Sequence, residues 1–325
     1  QVLAGRGRRV SGLPTSFRSL MNGLVDYAGL FPPASLDMTA AVAEYGAHRH
    51  EDEAWMLGRF IVPAGRLEEL RQARGKTDQA WPLSILVGGR DNADAALEAA
   101  AANAAAAREF LAGSGGTATI EVLEAPIPAG VSGLEVPAFL GTYVETLAAG
   151  GLDGRELYLE VLPGADDLKS LEAINALAAF ENRFPRIGAK LRCGGVTPEA
   201  FPSCERVAGF IDICRRLGLP LKCTAGLHHP VRHQAAEPAV MMHGFLNVFG
   251  AGLLAHALGA DLDILTACVA ETDPAAFAFE DNGFAWCDHL VAAAAVDQAR
   301  TGFLPGFGSC SFDEPRDDLR NLGLL

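Results

Sequence analysis

Short apolar segments that resemble buried β-strands alternate with helix-like segments along most of this chain. A short strand-like run is followed by a helix-like run, and this alternation recurs along the chain. Eight such alternations over some 250 residues are typical of a (β/α)8 TIM barrel, so we predict this α/β fold. The strand candidates are Leu24–Phe31, Gly58–Pro63, Leu83–Val87, Ala118–Leu123, Glu156–Leu162, Ile187–Arg192, Leu219–Thr224 and Gly244–Phe249.

A doubly wound open sheet is the alternative, because it shares the alternation of strands and helices. No GxGxxG motif follows the first strand candidate, which removes one common reason to prefer the open sheet. The helix candidates span about residues 37–50, 66–74, 91–112, 135–149, 166–183, 197–217, 231–241 and 250–270.

The pattern divides the chain into three parts. Residues 1–20 contain several arginines and no acidic residue, so we predict an extension outside the fold, with a targeting leader as the alternative. Residues 21–270 form the predicted barrel. Residues 271–325 contain a hairpin-like stretch around an Asn-Gly turn and a final amphipathic segment. About 55 residues make a poor core alone, so we predict a short α+β appendage packed on the barrel.

The overall charge and composition narrow the classes of partner. A net charge of −14 argues against nucleic acid and anionic membranes, and no apolar run approaches the 18 residues that a membrane span needs. Seven cysteines without a CxxC motif are typical of reduced thiols in a cytoplasmic protein. We therefore expect a small-molecule substrate, and the apolar helix faces are compatible with a homo-oligomer.

Lysine is rare in this chain, with four lysines against twenty-two arginines. Two of the four, Lys190 and Lys222, lie at the ends of consecutive strand candidates, and glycine follows each within a few residues. Lysine, unlike arginine, can lose its proton when buried and can form a Schiff base with a carbonyl compound. The two lysines are therefore the strongest indication of chemistry in the sequence.

Alternation of side chains along each strand predicts which residues face the barrel interior. The apolar residues of each strand face the helices, and polar residues fall on the opposite phase. Burying so many charged groups without a function is costly, and active sites of such barrels lie at the carboxyl ends of the strands. The predicted inward-facing polar residues are Asp26, Glu121, Glu160, Lys190, Arg192, Lys222, Thr224 and Asn247.

Residues 186–226 resemble the core of the deoxyribose-phosphate aldolases, a family of class I (Schiff-base) TIM barrels. The resemblance rests on Lys-Leu-Arg-Cys-Gly-Gly at the end of one strand, on the helix start at Thr197, and on Lys-Cys-Thr-Ala-Gly at the end of the next strand. It implies that Lys190 forms the Schiff base and that Lys222 lowers the pKa of Lys190. Leu-His-His follows Gly226 where that family has a glycine-rich phosphate site, so the sequence does not predict a phosphate-bearing substrate.

A histidine-rich segment, 227–233, follows the seventh strand candidate. His228, His229 and His233 are candidate ligands for a divalent metal such as zinc or manganese, together with acidic strand ends. The alternative is that they transfer protons or contact the substrate, as we also expect of Arg232.

The leading hypothesis is an aldolase-like carbon–carbon lyase that needs no cofactor and acts on a small carbonyl or carboxylate compound. Lys190 attacks the carbonyl group, Lys222 tunes it, and Glu160, Glu121 or a histidine of the 227–233 loop transfers protons. Asp26 is a further catalytic candidate that could hold a proton or a ligand. We expect Arg192, Thr224, Asn247, His228, His229 and Arg232 to bind substrate. The alternatives are a metal-dependent lyase, isomerase or hydrolase, and a non-catalytic barrel that binds a small anion.

Overall fold

A computed structural model of the protein describes residues 12–75, 79–180 and 182–325. Eight parallel strands close into a barrel in the order β1-β13-β7-β6-β5-β4-β3-β2, which confirms the predicted (β/α)8 fold. The strands are β1 (Val25–Tyr27), β2 (Leu57–Pro63), β3 (Trp81–Leu86), β4 (Ala118–Pro126), β5 (Glu156–Glu160), β6 (Ile187–Arg192), β7 (Leu221–Thr224), β8 (His233–Gln234), β9 (Met241–Met242), β10 (Phe277–Phe279), β11 (Gly283–Trp286), β12 (His289–Ala292) and β13 (Phe307–Ser309).

Helices cover the outside of the barrel and bury its apolar face. Side-chain caps begin several of them: Asp37, Ser203 and Asp261 each accept a hydrogen bond from a backbone N–H in the first turn. The helices are α1 (Thr15–Met21), α2 (Met38–His48), α3 (Leu67–Arg74), α4 (Ala93–Gly113), α5 (Val136–Ala149), α6 (Asp167–Asn175), α7 (Cys204–Leu217), α8 (Phe245–Leu258), α9 (Leu262–Ala270), α10 (Ala293–Gly302) and α11 (Asp313–Asn321). Among the described residues, no helix is both long and apolar enough to cross a membrane.

The eighth barrel strand does not lie where the sequence predicted it. The segment Gly244–Phe249 was expected to be a strand, but it forms the start of α8. Every residue of α8 from Phe245 to Ala255 is buried. Periodicity cannot distinguish a fully buried helix from a buried strand, because both are apolar throughout. The barrel is closed instead by β13, which pairs with β1 on one side and β7 on the other.

The predicted division of the chain changes accordingly. Because β13 supplies the last barrel strand, the barrel extends beyond residue 270 into the segment that we expected to be an appendage. Within that segment, β10, β11 and β12 form the antiparallel sheet that the Asn-Gly turn predicted. At the other end, α1 lies within the expected extension, yet Phe17 and Leu20 are fully buried. Residues 1–11 lie outside the described residues.

The strand register brings the predicted inward-facing residues to one level of the barrel. Glu160 of β5 lies beside Lys190 of β6, which in turn lies beside Lys222 of β7. On the other side of β7, Gly308 of β13 is the neighbour of Thr224 and of Asp26. The carboxyl ends of neighbouring strands therefore supply one continuous set of charged side chains.

Candidate active site

A chain of alternating charges crosses the interior of the barrel. Nζ of Lys190 lies 3.1 Å from Oε2 of Glu160, and Nζ of Lys222 forms a short ion pair with Asp26. All four side chains are buried. The structure thus brings together the two lysines and two of the three acidic residues that the sequence predicted as catalytic.

Glu124, which the sequence analysis missed, lies between the two lysines. Its Oε2 is 2.7 Å from Nζ of Lys190, and its Oε1 is 2.7 Å from Nζ of Lys222. The hydroxyl of Ser84 donates a further hydrogen bond to Oε1. The predicted strand ended at Leu123, one residue before this glutamate, whereas β4 continues to Pro126. Only extension of the predicted strand beyond Leu123 would have identified Glu124 from the sequence.

Glu121 is not part of this network. Its side chain is 44% exposed and pairs with Nε of Arg59 at 2.9 Å. The pairing register of β3 and β4 shifts between Leu83 and Ser84. Beyond this shift, counting every second residue from Glu121 no longer identifies the side chains of β4 that face the barrel interior. The predicted catalytic role of Glu121 is therefore not supported, and Glu124 takes the place on β4 that we assigned to it.

The network determines the charge of its members. Burial is the largest single effect and would raise the pKa of Glu124 and of Glu160, but the neighbouring cations together outweigh it. They are Lys190 and Lys222 at Glu124, and Lys190, Arg192 and Arg90 at Glu160. The pKa of Glu160 falls to about 2 as a result. Both carboxyl groups are therefore ionised near neutral pH.

Lys190 does not have the lowered pKa that the aldolase resemblance implied. Burial alone would lower it, but the carboxylates of Glu124 and Glu160 outweigh burial and raise the pKa of Lys190 above its ordinary value. Lys222 was expected to act on Lys190 as a neighbouring cation, but Glu124 lies between the two amino groups. Lys190 therefore rests as an ammonium ion.

A cavity of about 400 Å3 opens at the carboxyl ends of the strands. Lys190 and Glu124 lie at its polar end, and Lys222 does not line it. Three of the expected substrate-binding residues, Arg192, Thr224 and His228, also line the cavity. Apolar side chains supply much of the remaining wall, including Phe31, Pro32, Ile61, Leu86, Val196 and Ala225.

Two arginines at the cavity share one buried carboxylate. Arg192 donates from Nε and from an Nη to Oε1 of Glu160 at 3.2 and 3.1 Å, and Arg90 reaches the same carboxylate at 3.3 Å. Both guanidinium groups are partly exposed, whereas Glu160 is buried. Arg90 was not predicted because it lies three residues beyond the strand candidate Leu83–Val87, where the alternation along the strand no longer applies. A small anion in this cavity would meet two guanidinium groups.

Asn247 and Arg232 serve the structure of the loop after β7, and neither lines the cavity. Asn247 lies on α8, where its amide group donates to the carbonyl groups of Cys268 and Glu271 at 2.8 Å. Its Oδ1 accepts a hydrogen bond from the backbone N–H of Arg232 at 2.7 Å. The predicted inward position of Asn247 was wrong because it assumed that this segment was a strand.

The three histidines of the predicted metal site have separate partners. Nδ1 of His228 lies 3.1 Å from Glu314, Nδ1 of His229 pairs with Asp318, and Nδ1 of His233 lies 3.2 Å from the carbonyl oxygen of Val231. Within the described ranges, the only set of three ligand atoms close enough for a cation is that of His48, Glu51 and Asp313, and there Arg316 pairs with both carboxylates. The metal-dependent alternative stays a prediction.

Comparisons with known proteins do not assign the chain to a family. No family model matches the chain, and no curated protein sequence matches it. One solved structure that it resembles is lysine/ornithine decarboxylase from Vibrio vulnificus, complexed with cadaverine, at a TM-score of 0.35 and 14% identity. The match covers 64% of this chain and 48% of the decarboxylase chain, so it spans about half the length of that protein. Similarity this low carries no inference about activity.

Proposed function

We propose that the protein is a carbon–carbon lyase of the aldolase type, in which Lys190 forms a Schiff base with a small carbonyl compound that carries a carboxylate. The observation that carries this proposal is the position of Lys190. Its amino group is buried against Glu124 and Glu160, yet the residue lines a cavity large enough for a small molecule. A buried amine that a ligand can reach is what imine formation requires.

The carboxylate preference is supported by Arg90 and Arg192. Both line the cavity beside Lys190, and each is only partly buried, so a ligand can reach its guanidinium group. A carboxylate on the substrate would accept hydrogen bonds from these groups and place the neighbouring carbonyl carbon near Lys190.

Because Lys190 rests as an ammonium ion, it must lose a proton before it attacks. Glu160 is in direct contact with Nζ and is kept weakly basic by Lys190, Arg192 and Arg90. A substrate carboxylate that engages the two arginines would weaken their interaction with Glu160. The pKa of Glu160 would then rise, and Glu160 would become a better acceptor for the proton of Lys190. Substrate binding would thereby make the loss of a proton from Lys190 less unfavourable.

Glu124 and Lys222 complete the proton path on the other side of Lys190. Glu124 contacts both amino groups, so it is a second carboxylate that can accept the proton of Lys190, while Lys222 makes this carboxylate less basic. Asp26 and Ser84 hold Lys222 and Glu124 in place. Lys222 therefore tunes its neighbour through Glu124.

Trapping with borohydride tests the proposal. The protein is incubated with pyruvate, the reaction is quenched with sodium borohydride, and the intact mass and peptide map are measured. We expect one reduced adduct, on Lys190. Lys190→Arg keeps a cation between Glu124 and Glu160 but cannot form an imine, and it should give no adduct. Lys169→Arg is the matched control, since Lys169 is exposed on α6, and its adduct should equal that of the wild type.

The outcome also separates the proposal from a non-catalytic barrel. Pyruvate that binds without forming a reducible adduct would favour an anion-binding protein. An adduct that persists in Lys190→Arg at the wild-type level would contradict the role of Lys190 directly.

A further inference from the structure

One cluster of ionisable side chains at the cavity has no role in the proposed function. It consists of His228 in the loop after β7, Cys310 just after β13, and Glu314 on α11. His228 and Cys310 line the same cavity as Lys190. Two segments that are more than 80 residues apart in sequence therefore meet at one imidazole ring.

The contacts at this ring are unequal. Nδ1 of His228 lies 3.1 Å from Oε2 of Glu314 and 3.7 Å from Sγ of Cys310. For Nε2 no hydrogen-bond partner is found among the residues that the structure describes. A carboxylate that holds one ring nitrogen fixes the orientation of the ring and leaves the other nitrogen for proton transfer. His228 as a whole is buried, with 8% of its surface exposed, and it lines the cavity.

The charge of the cluster fits a proton donor. Burial alone would lower the pKa of His228, but Cys310 and Glu314 outweigh burial and raise that pKa to about 9. His229 and Asp313 also act on Glu314. His233 of the same loop is a further ionisable neighbour, whose pKa is lowered by burial first, then by His229 and least by His228. His228 is therefore an imidazolium ion at neutral pH, next to the cavity that holds Lys190.

We propose that His228 is the general acid of the site, donating the proton that releases water when the imine forms, and that Glu314 is the residue that positions it. This inference rests on the proposed function. In the step concerned, the free amine of Lys190 adds to the carbonyl carbon and gives a carbinolamine. The C–O bond then breaks, the hydroxyl group leaves as water with the proton of His228, and the nitrogen lone pair forms the C=N bond.

After this step His228 is neutral and can take a proton back. In a lyase, carbon–carbon cleavage releases a proton from the substrate hydroxyl group, and a neutral imidazole beside the cavity is a suitable acceptor. The same group would thus act as an acid in imine formation and as a base in cleavage. This alternation would restore the imidazolium in each cycle.

The test follows how fast the imine forms, with pyruvate as the probe. Samples are quenched with borohydride at successive times, and the adduct on Lys190 is measured by mass spectrometry over a range of pH. In His228→Asn the rate should fall by about 100-fold or more near neutral pH, as is usual for loss of a general acid. His256→Asn is the matched control: His256 is an exposed histidine of α8 and does not line the cavity. Its rate should equal that of the wild type.

A second readout separates a positioning role for Glu314 from a merely structural one. Glu314→Gln should lower the pKa of His228 in an NMR titration of the histidine rings, whereas Asp318→Asn on the same helix should leave it unchanged. Wild-type rates in His228→Asn, or an unchanged His228 titration in Glu314→Gln, would overturn the inference. Absence of any adduct in the wild type would instead remove the proposed function, and the donor role with it. The two failures are therefore distinguishable.

Discussion

The carboxylate of Glu124 lies 2.7 Å from Nζ of Lys190, and its second oxygen lies the same distance from Nζ of Lys222. The two lysines are direct neighbours in the register of β6 and β7, so without Glu124 two cations would face each other inside the barrel. With it, the two ammonium groups share a carboxylate, in addition to the buried counter-ions Glu160 for Lys190 and Asp26 for Lys222. Lys190 is therefore charged in the resting protein, and the proposed reaction must begin with loss of a proton from Lys190.

Replacing Glu124 by glutamine should destabilise the protein strongly. The amide cannot neutralise two buried ammonium groups, and breaking a buried ion pair costs about 3–5 kcal/mol. Urea unfolding monitored by circular dichroism measures the loss. Glu121→Gln on the same strand is the control, because its exposed pair with Arg59 is worth about 1 kcal/mol or less. Equal effects of the two substitutions would contradict the central place of Glu124.

The rate of adduct formation should rise with pH. The pKa of Lys190 is raised by Glu124 and Glu160, so the free amine is a small fraction at neutral pH and grows about tenfold per pH unit below that pKa. Loss of the imidazolium form of His228 should flatten the increase near pH 9. Quenched trapping of pyruvate between pH 6 and 10 gives the profile. In His228→Asn the rate should be lower and should continue to rise above pH 9; a profile that falls with pH would exclude Lys190 as the nucleophile.

Acid should destabilise the protein through Glu160. Its pKa in the folded state is about 2, below the ordinary value for glutamic acid, so its stabilising contribution is fully present above the unfolded pKa of about 4.3 and is lost as pH falls towards 2. Thermal unfolding at several pH values measures this. In Glu160→Gln the melting temperature should change less between pH 5 and pH 3 than in the wild type. Identical slopes for the two proteins would show that Glu160 does not carry the acid sensitivity.

Removal of one guanidinium group at the cavity should weaken binding of a carboxylate. A hydrogen bond to a charged group contributes about 1.5–3 kcal/mol, so Arg192→Gln should raise the pyruvate concentration for half-maximal adduct by ~10- to 100-fold. With acetone, which lacks a carboxylate, the change should be small. Arg186→Gln is the matched control, since Arg186 pairs with Glu156 at the opposite end of β5 and β6. Equal losses for pyruvate and acetone would mean that Arg192 does not bind the carboxylate.

Much of the barrel was predictable because each strand and helix has its own local pattern. Seven of the eight strand candidates coincide with barrel strands, and Lys190, Lys222 and Glu160 were assigned to the interior from their alternation with apolar neighbours. The eighth failed since β13 has only three residues, too few to show a period, while the apolar start of α8 resembles a strand.

The sequence by itself determined the fold class and the phase of the two lysines, because the spacing of apolar residues is a local property that the chain carries along its length. Only the tertiary structure decided which charges meet. The register shift on β4 brought Glu124 to the lysines and left Glu121 outside, and α11 brought Glu314 to His228 across 86 residues of sequence. Such pairings depend on how separate elements pack, and no local pattern in the sequence encodes them.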